Sequence, residues 1–218
     1  MKVSEIISLR LVNPAMTDWD FKDQILELQA KPLNEIVVLP NQVARSKQLL
    51  ARTSIKIGTV IDYPLGNGTI AKKAFEVGKA FQSGADFLEI TISPTMLIHQ
   101  KEQAKSLQQT LHSLAMAWGE IRIRVDSRNL KELQKIEIAA CIKELGWHHL
   151  VLGEGDSFDS AKHDATIFAY DTGKSVKLQI NLSQATHEQL QELILSGADS
   201  FGVFTLVNLD LSAELREF

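Results

Sequence analysis

A single cysteine, Cys141, stands in a chain of 218 residues, so no disulfide can form within it. It falls in a helical apolar pattern with Ile138 and Ile142 and reads as a small buried hydrophobe. No apolar run approaches the ~18 residues of a membrane-spanning helix, and no basic amphipathic stretch suggests a membrane surface. Neither sign of charge dominates. The 23 Lys and Arg are interleaved with 27 Asp and Glu for a net charge of −4, which leaves no electrostatic footprint for nucleic acid. The opening residues, MKVSEIISLR, lack the apolar core of a secretory signal, and the expected compartment is the cytosol. Nucleophile elbows, Walker loops and dinucleotide fingerprints are missing. So is any metal-ligand spacing. His148 and His149 would point to opposite faces of a strand, and His163-Asp164 reads as a solvated helix face.

What is present is a regular alternation of strand-like and helix-like runs. The strand candidates are 5–12, 35–39, 54–62, 87–93, 120–126, 149–153, 176–181 and 200–204, and helical segments lie near 17–31, 41–52, 68–83, 100–118, 129–145, 157–172 and 186–196. Strands separated by helices of this length pair in parallel through right-handed crossovers, and eight such units close a barrel. The expected fold is therefore α/β, a single (β/α)8 TIM-barrel domain over residues 1–218, with room for only a short last helix in 205–218. Gly84, Gly146 and Gly197 stand where left-handed helix caps are needed. Ser83-Gly84-Ala85-Asp86 recurs as Ser196-Gly197-Ala198-Asp199, each time between a helix and a strand, as a barrel of repeated units would show. Gly66-Asn67-Gly68 is a turn signal with Asn67 the candidate for positive φ.

Period-two alternation then sorts the strand residues. Leu88, Ile90 and Ile92 face the helices, leaving Phe87, Glu89 and Thr91 inside; Ile121, Ile123 and Val125 leave Arg122, Arg124 and Asp126 inside. His149 and Val151 of the sixth strand, and Lys177, Gln179 and Asn181 of the seventh, also point inward. Buried charges are costly unless paired, so Glu89, Arg122, Arg124, Asp126 and Lys177 are expected to pair with one another, either as a site at the carboxyl ends of the strands or as a self-satisfied structural ion network.

The stretch Gly58-Thr59-Val60-Ile61-Asp62-Tyr63-Pro64-Leu65-Gly66, continued by Ser83-Gly84-Ala85-Asp86-Phe87-Leu88-Glu89 and preceded by Glu35-Ile36-Val37-Val38-Leu39-Pro40, resembles the deoxyribose-phosphate aldolases. The resemblance is specific over 35–92 and continues by unit spacing through nearly the whole chain. It implies a class I aldolase that cleaves 2-deoxyribose 5-phosphate through a lysine Schiff base, with a second lysine lowering the pKa of the first, an aspartate relaying protons, and neither metal nor cofactor. It also implies a homodimer. Carried over position by position, the pattern departs from the family. The Schiff-base lysine falls on Val151, the perturbing lysine on Gln179, the relay aspartate on Glu89, the aspartate of the first strand on Ser8, and two further polar positions on Arg122 and Asp126. The Gly-Gly turn that would hold the phosphate reads Ile180-Asn181-Leu182-Ser183, and the turn after the eighth strand reads Thr205-Leu206-Val207-Asn208.

Three readings stay open on the sequence. The chain is a family barrel without Schiff-base activity, kept as a binding or regulatory protein for a small anionic metabolite. Or it is a lyase or other enzyme acting on a small anionic sugar or carbonyl compound, with Glu89, Lys177 and Asp126 as catalytic groups and Arg122, Arg124, Gln179 and Asn181 as binding groups. Or it is a genuine deoxyribose-phosphate aldolase in which Lys177, two residues before Gln179 on the same face, is a relocated lysine.

Overall fold

In the computed structural model eight parallel strands close into one barrel in chain order, each paired with its sequence neighbours and the last with the first. The structure describes residues 1–215, without the side chains of 154–156. The strands are β1 Ile7–Leu11, β2 Glu35–Val38, β3 Lys56–Ile61, β4 Phe87–Thr91, β5 Glu120–Val125, β6 His149–Asp156, β7 Lys177–Leu182 and β8 Ser200–Val203. Between them run α2 Asp18–Leu28, α3 Val43–Leu49, α4 Ile70–Gln82, α6 Lys101–Trp118, α7 Glu132–Glu144, α8 Phe158–Thr172 and α9 His187–Leu195. Two short helices, α1 Val3–Ile6 and α5 Pro94–His99, went unread in the sequence. The second has a local signal: Ser93 caps it and accepts from the Met96 amide, with Pro94 at the first helical position.

The expected last helix is not found among the described residues. The segment after β8 turns back instead, and its Leu211 and Ala213 carbonyls accept from the amides of Ser4 and Val3 on α1. Residues 216–218 of that expectation lie outside the described part. In the loop after β3 the positive φ belongs to Gly66 and Asp62, not to Asn67, and Thr69 is the residue that caps α4. No helix is long and apolar enough to cross a membrane among the described residues.

The main core lies between strands and helices, where Ile7, Leu9, Leu88, Ile90, Ile123, Leu150, Leu178 and Ile180 meet apolar helix faces such as Phe21, Val77, Leu107 and Phe168. The repeated Ser-Gly-Ala-Asp motif has a structural cause. Gly84 and Gly197 both adopt φ of +100°, which turns the chain from helix into strand. The aspartate that follows clamps the neighbouring strand at its amino end. Asp86 Oδ2 accepts from the Ile57 amide at 2.7 Å while its own amide donates to the Ile57 carbonyl at 2.7 Å. Asp199 does the same to Leu178, at 2.7 and 2.8 Å.

Candidate functional site

The strand residues that point away from the helices fill the barrel lumen with a polar chain. Arg10 of β1 donates through Nη1 to both carboxylate oxygens of Glu89 on β4, at 2.8 and 2.7 Å, and both side chains are fully buried. Gln179 of β7 donates its amide to Glu89 at 3.3 Å and to Asn181 Oδ1 at 2.9 Å, and accepts from Arg122 at 3.3 Å. Arg122 of β5 is in turn gripped by Glu35 of β2 through two bonds of 2.8 and 2.9 Å and by Glu120 through Nε at 2.8 Å, with its guanidinium over the Phe87 ring at 3.8 Å. Glu35, Arg122, Gln179, Glu89 and Arg10 thus form one continuous network drawn from five strands. Arg10 can cross the lumen because β8 offers Gly202 there: a Cβ on that residue would lie 2.1 Å from Asn181 Oδ1 and 2.8 Å from Arg10 Cδ.

The electrostatics lock these charges. Burial works to raise the Glu89 pKa, but Arg10, with Arg122 and Arg124 beyond it, outweighs burial and holds the carboxyl below its usual range. Burial likewise works against the Arg122 cation and is overcome by Glu35 and Glu120, so its pKa is raised. The His149 hydrogen bond, ahead of burial and Arg122, lowers Glu120 to about 2. A carboxylate pinned as an anion by a guanidinium on both oxygens is a poor proton relay.

Of the residues expected inside, Glu89, Arg122, Arg124, Gln179, Asn181, Val151 and Ser8 are buried there. Two others are not. Lys177 is the first residue of β7, exposed at the amino edge of the barrel, opposite the end where barrel enzymes place their chemistry. Asp126 lies one residue past β5, partly exposed, and is held by Arg128 at 2.9 and 2.6 Å, a contact that lowers its pKa against burial. The pairing also differs from expectation. Glu89 meets Arg10 and Arg122 meets Glu35 and Glu120, whereas Arg124 lies over the Tyr63 ring at 5.1 Å. Away from the lumen, Asp164 is no solvated helix residue but is buried and bonded to Lys135 at 2.5 Å.

Sequence reasoning missed Arg10 and Glu35. The signal was there for Arg10, since Ser8 and Arg10 alternate with Ile7, Leu9 and Leu11. Lys73 was missed as well, and it is the one buried lysine among the described residues. Burial, ahead of the opposing pull of Asp62, lowers its pKa. Its ammonium is nonetheless used up: it bonds Asp62 and donates to the carbonyls of Gly66 and Thr91, each at 2.9 Å. Lys73 clamps the loop after β3 and presents no free amine. The positions that the resemblance gives to the Schiff-base lysine and to the lysine that perturbs it, Val151 and Gln179, are neighbours across the β6–β7 ladder, and neither side chain carries an amine that can form an imine. No cluster of three His, Cys, Asp or Glu could hold a metal ion among the described residues.

No family model matches the chain. A deoxyribose-phosphate aldolase of Clostridium botulinum is 26% identical over 215 residues, covering 96% of this chain and 99% of that protein. One of Dictyoglomus turgidum is 25% identical over 210 residues, covering 95% of each. Among solved structures, the aldolase QR15 superposes with a TM-score of 0.81 at 16% identity, over 95% of this chain and 93% of that one. The tetrameric deoxyribose-phosphate aldolase of Aeropyrum pernix superposes with a TM-score of 0.78 at 16% identity, over 94% and 88%; likeness at this level speaks for the shared fold. The chain is thus a divergent homologue of curated deoxyribose-phosphate aldolases, similar to them over nearly its full length, on a closed barrel of the same fold as the solved aldolases.

Proposed function

We propose that the protein is a deoxyribose-phosphate aldolase-like barrel without Schiff-base activity, kept as a binding or regulatory protein. One observation carries this reading: the lumen where an imine would form holds Val151, Gln179 and the locked Arg10–Glu89 pair in place of an accessible amine. The turn after β7 agrees with it. Asn181 and Leu182 are buried there where a phosphate would need open backbone amides. Lys177, exposed at the far end, gives the relocated-lysine reading no support. Incubation with 2-deoxyribose 5-phosphate and borohydride, followed by intact mass and an aldehyde assay, is expected to give no lysine adduct and no glyceraldehyde 3-phosphate. A reduced adduct with turnover would overturn the proposal.

A second reading, an altered enzyme or binder for a small anionic metabolite in the same lumen, draws on the hydroxyls of Ser8, Thr91 and Ser127, buried without hydrogen-bond partners. It requires that 2-deoxyribose 5-phosphate or inorganic phosphate raise the melting temperature, with Thr91→Val abolishing the rise. The family resemblance extends the proposal to a cytoplasmic homodimer, which light scattering of the purified chain checks by its mass.

A further inference from the structure

The amino-terminal edges of β5, β6 and β7 border a second feature, which touches the lumen network only at Glu120 and His149. A cleft of about 320 Å³ opens there, within the roughly 300–1,000 Å³ common for small-molecule sites. Its walls are apolar, with Leu111 and Ala115 from α6, Ile121 from β5, and the buried indole of Trp147. Its polar lining is unbalanced. The one acid, Glu120, is already engaged by Arg122 Nε at 2.8 Å and His149 Nδ1 at 3.1 Å. Against it stand Lys177, Gln108 and His112, whose side chains make no hydrogen bond or ion pair among the described residues. The Nε2 of His149 is buried and likewise without a partner.

Several lysines elsewhere in the molecule are answered by acids: Lys47 by Asp86, Lys72 and Lys73 by Asp62, Lys135 by Asp164, Lys162 by Glu192. Lys177 has no such partner among the described residues, and it stands at the rim of an apolar cleft that holds a buried tryptophan. A free ammonium at the rim of an apolar, aromatic-walled pocket is complementary to an anion carrying a hydrophobic body. A carboxylate can accept from Lys177 while its apolar part displaces water from Trp147, Leu111 and Ile121.

We propose that this cleft binds a small carboxylate with a ring-sized apolar body, its charge on Lys177 and its ring against Trp147. The cleft meets the lumen network only through Glu120 and His149, and neither Lys177 nor Trp147 belongs to that network, so binding here is read separately from catalysis in the lumen.

Phenylacetate and its uncharged analogue phenylacetamide are the probes, titrated into the full chain with tryptophan emission and ligand-observed NMR as readouts. Phenylacetate is expected to give a saturable emission change that disappears in Trp147→Phe, and phenylacetamide none. Lys177→Met, at an exposed position that leaves the fold unchanged by circular dichroism, is expected to weaken phenylacetate about tenfold, as loss of a charge-assisted hydrogen bond would. The proposal is overturned by any of three results: no phenylacetate binding by NMR, equal binding of the amide, or an affinity that Lys177→Met leaves unchanged.

Discussion

Within one lumen, Val12 just past β1 clusters with Val37, Val60 and Phe87 of β2 to β4, while β4 to β7 contribute Glu89, Arg122, Gln179 and Asn181, with Arg10 and Glu35 reaching into them from β1 and β2. Both sides are equally dry, and their energetics are opposite. The apolar side is held by transfer free energy, which is graded: remove a methyl group and a proportionate amount is lost. The charged side is held by mutual compensation. Each ion has given up its hydration, and the attraction between partners does little more than offset that cost, so the network stabilises little as a whole and fails badly when one member is removed.

Substitutions can separate the two. The largest effect is expected for Glu89→Ala, which takes the Glu89 carboxylate from the buried Arg10 guanidinium and should cost about 3–5 kcal/mol in chemical denaturation. The double replacement Arg10→Met with Glu89→Met should recover most of that loss or exceed the parent's stability. A double variant as unstable as the single one would show that the pair is a net stabiliser, and the contrast between the two sides would fall. Next comes Val37→Ala on the apolar side, expected to cost about 2 kcal/mol with no partner able to rescue it. Gly202→Ala sits at the boundary, where its methyl group meets Asn181 and the Arg10 stem. Overpacking should cost about 1–3 kcal/mol, and less in an Arg10→Ala background.

The smallest effect concerns acid. Glu120 titrates at about 2 in the folded chain, below its ordinary value of roughly 4.3. A carboxyl with a depressed folded pKa contributes stability that is present above the unfolded value and is lost as pH falls toward the folded one. Glu120→Gln should therefore change stability near neutrality but converge with the parent between about pH 4.3 and 2. Because the Glu120 side chain is 46% exposed, solvent screening holds the difference to about 1 kcal/mol or less.

Most of the barrel was legible because it is written locally. Alternation, helix length and the two Ser-Gly-Ala-Asp turns place all eight strands to within a few residues. Helices α1 and α5 escape a reading by periodicity, since four or six residues carry none, and the Ser93-Pro94 cap was the one local mark of α5. The site was half legible for a different reason. Alternation says which face a residue takes but not how deep along the strand it lies, so it grouped exposed Lys177 and loop residue Asp126 with buried Arg122 and Gln179. The partners were beyond reach: Arg10 and Glu89 are 79 residues apart and Arg122 and Glu35 87, and only barrel closure brings them together.

The aspartate clamps at Asp86 and Asp199 have a counterpart that is broken. The equivalent turn before β6 reads Gly146-Trp147-His148, so no carboxylate there grips a β5 amide, and the link at that end is the side-chain bond between Glu120 and His149 at 3.1 Å. Their pairing begins only at Ile123 and Leu150 and runs for three residue pairs. That seam is where the barrel should start to fray. In hydrogen exchange, the amides at the amino ends of β5 and β6 should exchange ahead of those of Ile57 and Leu178, so that thermal breathing enters the closed sheet from one side instead of everywhere at once.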